Sequence, residues 1–322
     1  MRRSVIALAA LGLLAPSIAL PQPLPAMSGG YSVDTYAAVP DPVNLSVAPD
    51  GTLFVGRDLG GSGGNSGAAT RIHRVTPGDP PIVSEIGDPI DDPDVVLADP
   101  TGILAPEPDS ALVGGRLAGV NPFAGYLASI APDGTTTTLL PSNQTVQNPV
   151  GFEFDSLGTL WVASFDNARL VPVTGSGPGA AIVLPDEPLD LAVEPGTDRI
   201  FVSLQSGAIQ IYDDAGVLVD PAFTTGRATA FAPGTNGFGS DLYVIAPPAG
   251  TLSRVDASGA ATVIGTGFGN DGFGLDFGPD GRLYASDFDN DRILVVPETE
   301  SAAAGAAALV MLASIRRISG RA

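Results

Sequence analysis

Between residues 31 and 296 short apolar runs alternate with clusters of proline, glycine and aspartate, and one pattern recurs. It is an apolar strand, a turn of the Pro-Asp-Gly type, then a strand reading leucine–aromatic–valine. Full copies run from Leu45 to Val55, Phe152 to Val162, Leu191 to Val202 and Leu275 to Ala285, and looser copies centre on Leu112-Val113 and Leu242-Tyr243-Val244. The anchors Leu53, Leu112, Leu160, Ile200, Leu242 and Leu283 lie 59, 48, 40, 42 and 41 residues apart. A period of about 40–50 residues with several short strands in each repeat is the signature of a β-propeller. Six copies predict six blades.

The outer strands follow in register. Third strands are predicted at Ile72–Val75, Tyr126–Ile130, Leu170–Val173, Ile209–Tyr212, Leu252–Val255 and Ile293–Val296. Fourth strands are predicted at Ile82–Ile86, Thr135–Leu140, Ala181–Leu184, Val217–Val219 and Ala261–Ile264. The sixth unit has no fourth strand of its own. The unassigned strand Tyr31–Val39 predicts the completion of that blade, so that the N-terminal strand closes the ring and no sheet edge is left open. The fold class is therefore all-β: a six-bladed propeller over residues 31–295, followed by a C-terminal hydrophobic helix.

The two ends read as addresses. Met1-Arg2-Arg3, the apolar run Val5 to Leu14 and the small residues before Ala19 form a secretory signal peptide over 1–19, with Ala26 as the alternative cleavage point. The run is too short to span a bilayer, which needs about 20 apolar residues. Residues 20–30 read as a linker. At the other end Val296, Pro297 and Glu298 precede the uncharged stretch Ala302–Ile315, and Arg316, Arg317 and Arg321 follow it. This tail, over 296–322, resembles the PEP-CTERM sorting signal of Gram-negative bacteria, with Thr299 where that box has its second proline. The resemblance implies an exosortase-type processing enzyme, a transient stay in the membrane, and a destination at the cell surface or in the extracellular matrix.

Composition then narrows the chemistry. The formal net charge is −20, and all fifteen basic residues are arginine. Removing both ends takes away five arginines and two glutamates and leaves −23, a charge that repels a phosphate backbone and argues against nucleic-acid partners. Without cysteine there is no disulfide, thiol nucleophile or cysteine zinc site, and without lysine no Schiff base or P-loop. The lone histidine, His73, alternates with aliphatic residues on a third strand and reads as a solvated outer-blade residue; it also rules out a multi-histidine metal site or lyase centre. The glycine-rich stretch Gly60–Gly67 lacks the lysine and helix of a phosphate cradle and reads as a loop.

Pro149-Val150-Gly151, the Asp-Gly turns, and the second-strand tails Ser164 to Arg169 and Ser286 to Arg292 carry a further resemblance. The body resembles the NHL-repeat and gluconolactonase/regucalcin-like six-bladed propellers. That likeness implies a metal site inside the channel, built in that group from a glutamate, asparagines and an aspartate. Only Asn44 and Asp190 answer to it here. The other aligned positions are Gly102, Gly151, Ala228 and Gly274, and the family's Glu-Gly-Pro is replaced by Asp41-Pro42-Val43. Aligning the blades by their first strands also places Asp41, Asp99, Asn148, Glu187 and Asp271 on one rim of the channel, a ring of oxygen-bearing side chains that would attract cations. Turn chemistry before proline accounts for the same residues. Asp287, Asp289 and Asp291 alternate like a calcium loop, yet Arg292 stands where such a loop needs glycine. The acidic stretch Asp88–Pro100 reads as a loop over the rim.

Two readings follow. In the first the protein is a non-enzymatic binding or scaffold module, exported to the cell surface or matrix, with an extracellular protein or polysaccharide partner. No cofactor is fixed by the sequence; Ca²⁺ is the ion its acidic face suggests. In the second it is a Ca²⁺-dependent lactonase-type hydrolase.

Overall fold

The computed structural model describes residues 23–57, 69–117, 124–234, 238–269 and 274–297. Six antiparallel sheets are arranged as a six-bladed propeller. Blade one contains Pro42–Val47, Leu53–Arg57, Ala69–Thr76 and Ile82–Asp91, and blade two Val95–Asp99, Ser110–Arg116, Gly125–Ile130 and Thr136–Asn143. In blade three Pro149–Phe154, Leu160–Ser164 and Arg169–Thr174 are followed by a fourth strand broken into Gly177–Pro178 and Ile182–Val183. Blade four contains Pro188–Val193, Ile200–Leu204, Ala208–Tyr212 and Leu218–Thr225. Blade five contains Ala228–Phe231, Leu242–Ala246, Thr251–Val255 and Ala261–Thr266, with Ala26–Met27 added at its outer edge. In blade six Leu275–Phe277, Leu283–Asp287 and Arg292–Val296 are followed, in pairing order, by Asp34–Ala38. No α-helix occurs among the described residues, and the C-terminal helix expected over 302–315 lies outside them.

The repeat works because a strand presents alternate residues to opposite faces. The six anchors fall on the second strands, and none is more than 2% exposed. One apolar cluster fills each gap between neighbouring blades. Phe152, Leu160 and Val171 meet Val95 and Leu112 between blades three and two. Trp161 and Leu170 meet Leu191 and Ile200 between three and four, and Leu45 and Val55 meet Tyr284 and Ile293 between one and six. Six such interfaces supply a large core without any covalent staple.

Three expectations change. The stretch 88–100 is not a loop: the fourth strand of blade one runs to Asp91 and the first strand of blade two is Val95–Asp99, leaving 92–94 as the connection. His73 is not solvated. It shares the strand face of Val75, pairs with Val55, and so lies with them toward the interface of blades one and six, where it is 4% exposed. Ala26 and Met27, inside the stretch read as a linker, pair with Thr266 and Gly265.

Candidate functional site

The first strands surround the channel, and each has an inner edge with no further strand beside it. Backbone N–H groups on such an edge need acceptors. Neighbouring blades provide them. Asn44 Oδ1 accepts from Val96 N–H at 3.1 Å and Ser46 Oγ from Ala98 N–H at 3.1 Å, tying blade two to blade one. Asp190 Oδ2 accepts from Thr229 N–H at 2.7 Å and from its hydroxyl at 3.1 Å, tying five to four. Asp276 Oδ2 accepts from Val47 N–H at 2.7 Å, tying one to six. Ser203 Oγ adds a bond to the Arg227 carbonyl, and Ser286 Oγ one to the Val43 carbonyl.

Asn44 and Asp190, the two residues aligned with the regucalcin-like metal ligands, are thus equivalent residues of opposite blades with equivalent structural work. The glycines at the same position in blades three and six are required for approach. A Cβ on Gly151 would lie 2.9 Å from Leu191 N, and one on Gly274 would lie 2.6 Å from Leu45 N. Among the described residues no three His, Asp or Glu side chains are grouped to hold a metal ion. The donor set therefore does not fit the ion site that the resemblance implies.

The rim residues divide. Asp41, Asn148 and Glu187 immediately precede Pro42, Pro149 and Pro188, at the mouth where the first strands begin. Asp41 and Asn148 share a left-handed backbone, with φ of 50° and 49°. Asp41 pairs with Arg57 at 3.5 Å, and its N–H donates to Asp291 Oδ1 at 2.9 Å. Asp99 ends its strand instead of preceding it, so it lies at the opposite mouth. Fully buried, its carboxylate accepts from the N–H groups of Ile103, Leu104 and Ala105 and organises that loop. Asp271 lies outside the described residues. Asp287 and Asp291 are engaged in turn and blade contacts, in agreement with the structural reading of that acidic run.

Two functional candidates were not singled out from sequence. Glu153 and Asp276 sit two residues beyond Gly151 and Gly274, each an acid between apolar neighbours in a first strand. With Asp190 they face a cavity of 230 Å³ whose wall includes Phe152, Phe231 and Phe277. Burial, reinforced by the charges of Asp276 and Asp190, pushes the Glu153 carboxyl up to about 8. Burial also pushes Asp190 up to about 8, against the hydrogen bonds from Thr229. Asp276 is raised to about 6, again by burial, which outweighs its backbone hydrogen bonds. The local signal was present: an acid in an apolar strand, in Phe-Glu-Phe and Leu-Asp-Phe.

No family model matches the chain, and no curated protein does. Solved structures do. A gluconolactonase from Xanthomonas campestris aligns with a TM-score of 0.64 at 14% identity, covering 85% of this chain and 94% of that one. An auxiliary nutrient binding protein from Bacteroides thetaiotaomicron aligns at 0.60 and 12% identity, covering 84% and 77%. Virginiamycin B lyase from Staphylococcus aureus aligns at 0.52 and 14% identity, covering 80% and 82%. At these identities the likeness establishes the fold alone, and the proteins that share it are, by their names, enzymes as well as a binding protein.

Proposed function

We propose that this protein is an exported binding module of the cell surface or extracellular matrix that engages an extracellular protein or polysaccharide and hydrolyses no lactone. The carrying observation is the use of its channel oxygens. Asn44, Ser46, Asp190 and Asp276 each hold the first strand of a neighbouring blade, whereas a catalytic ion would need those oxygens converging on itself with a position left open for water. The single histidine sits in the interface of blades one and six, away from the cavity wall, which leaves histidine-dependent lyase chemistry without its residue. Export rests on the signal-peptide reading of 1–19. Surface sorting rests on Val296, Pro297 and Glu298, the uncharged apolar stretch 302–315 and the arginines behind it, with an exosortase-type enzyme as processing partner; these segments lie outside the described residues apart from Val296 and Pro297.

The lactonase reading keeps one observation in its favour, a half-buried glutamate in the cavity wall, Glu153, whose carboxyl is pushed up to about 8, as a general acid–base group requires. A panel of aldonolactones, assayed with Ca²⁺ and with EDTA, separates the two. The expected result is hydrolysis at the buffer rate under both conditions. Turnover that depends on Ca²⁺ and disappears in Asp190→Asn would establish the hydrolase instead.

A further inference from the structure

The two mouths of the ring differ in what their connections expose. First strands run from the mouth of Pro42, Pro149 and Pro188 to the opposite one, and third strands run the same way, since both pair antiparallel with the second strand between them. The far mouth therefore carries the turns that join first to second and third to fourth strands. Leu157 stands in one such turn, 83% exposed, and Ile103 lies exposed in the corresponding loop of blade two. The two turns touch: a Cβ on Gly158 would lie 3.2 Å from the Ile103 side chain. Val217 follows the third strand of blade four and Ile82 opens the fourth strand of blade one, both at this mouth and both exposed. Among the described residues no connection at the opposite mouth has an exposed large apolar side chain. Single exposed aliphatic residues are ordinary on a soluble protein. Their confinement to the connections of one mouth gives that mouth an apolar character the other lacks.

The chain leaves from the same mouth. Arg292–Val296 is a third strand, and Val296 pairs with Leu283, which pairs with Phe277 at the end of the first strand. Five residues, 297–301, separate Val296 from the uncharged apolar stretch 302–315. An extended chain gains at most about 3.6 Å per residue, so this mouth stays within about 20 Å of the surface that receives the stretch. We propose that the mouth is a docking face for a zwitterionic lipid surface, with Leu157 and Ile103 entering the headgroup region and the opposite mouth left facing the extracellular partner. This rests on the surface-sorting reading and gives it an orientation. An apolar stretch of 14 residues is shorter than the about 20 that span a bilayer. One weak anchor holds a protein only reversibly, whereas two hold it stably. The aliphatic side chains of the mouth are the second. The carboxylates beside them select the lipid. Asp155, Asp213, Asp256 and Asp280 are held in turns of this mouth by N–H groups of their own turns, and they repel the phosphates of an anionic leaflet.

The chain has no cysteine, so a single introduced one reports its own position. The full chain is bound to phosphatidylcholine vesicles containing lipids with a nitroxide near the headgroup. An environment-sensitive fluorophore is attached at Leu157→Cys or, between the second and third strands of blade four at the opposite mouth, at Ser206→Cys. Both side chains are exposed, so neither change disturbs the core. The expected result is a probe at 157 that shifts to the blue and is quenched about threefold, as insertion into the headgroup layer requires, and a probe at 206 that is not quenched. Quenching at 157 should weaken in Ile103→Ser. It should weaken also when about a third of the lipid is phosphatidylglycerol, and return as salt screens the repulsion. Equal quenching at the two positions, quenching at 206 alone, or indifference to Ile103→Ser would each overturn the docking face and leave the sorting tail standing. A chain that does not bind vesicles at all would remove the tail reading and the docking face together. The lactone assay is independent of both.

Discussion

Asp287→Ala is expected to destabilise the protein by about 3–5 kcal/mol, the usual consequence of removing one partner from a buried ion pair. Asp287 is fully buried and the Arg292 side chain is 9% exposed. Arg292 Nε donates to Asp287 Oδ2 at 2.7 Å, and Asn290 Nδ2 donates to the other oxygen at 2.8 Å. The guanidinium also reaches the Pro23 carbonyl at 3.0 Å, so the pair joins the third strand of blade six to the N-terminal segment at the edge of blade five. Alanine at 287 takes from a buried guanidinium the carboxylate to which its Nε donates. The comparison is Arg282→Ala, whose guanidinium pairs with Asp280 at 3.5 Å between side chains 50% and 40% exposed. That change is expected to cost less than about 1 kcal/mol. Urea unfolding of the two variants checks both figures, and equal losses would show that the interior pair is not what holds this seam. Asp287→Leu combined with Arg292→Met should be less harmful than Asp287→Ala alone, because it replaces both members of the buried pair with apolar side chains.

The same segment shows what the sequence made legible. Asp289-Asn290-Asp291-Arg292 and Asp166-Asn167-Ala168-Arg169 are the same turn in two blades, with left-handed Asp291 and Ala168 at φ of 51° and 48°. The repeat preserves backbone geometry more faithfully than side-chain chemistry. That is why the second and third strands could be placed from Leu53, Leu160 or Leu283: burial on both faces of a blade imposes a strong pattern. Blade two misleads for the opposite reason. Asp99-Pro100-Thr101-Gly102 imitates Asn148-Pro149-Val150-Gly151, but it follows its strand, and only the pairing of Val95 to Asp99 with Gly114 to Ser110 reveals the shift. The cavity acids were legible only in part. A residue's place in the strand pattern fixes the face on which it lies. Whether its oxygens are taken by a backbone edge, as with Asn44 and Asp190, or left for something else, as with Glu153, depends on how closely two first strands approach. That distance is set by Gly151 and Gly274, which sequence alignment alone reads as lost ligands.

Glu153→Gln is expected to make the protein more stable at pH 9 by about 2–3 kcal/mol, while changing it little at pH 5. The sign follows from proton binding. The Glu153 and Asp190 carboxyls are pushed up to about 8 and Asp276 to about 6 in the folded protein. The folded state therefore holds protons that the unfolded state has released, and stability present below the ordinary carboxylate range is lost as pH rises to about 8 and beyond. Wild-type protein should accordingly unfold more readily at each step from pH 5 to 7 to 9. Glutamine fills the same space, carries no charge at any of these pH values and removes the repulsion that Glu153 exerts on Asp190 and Asp276, so the variant's curve should be flatter. Urea midpoints for both proteins at the three pH values test this, and parallel curves would mean that Glu153 is solvated in the channel and repels nothing.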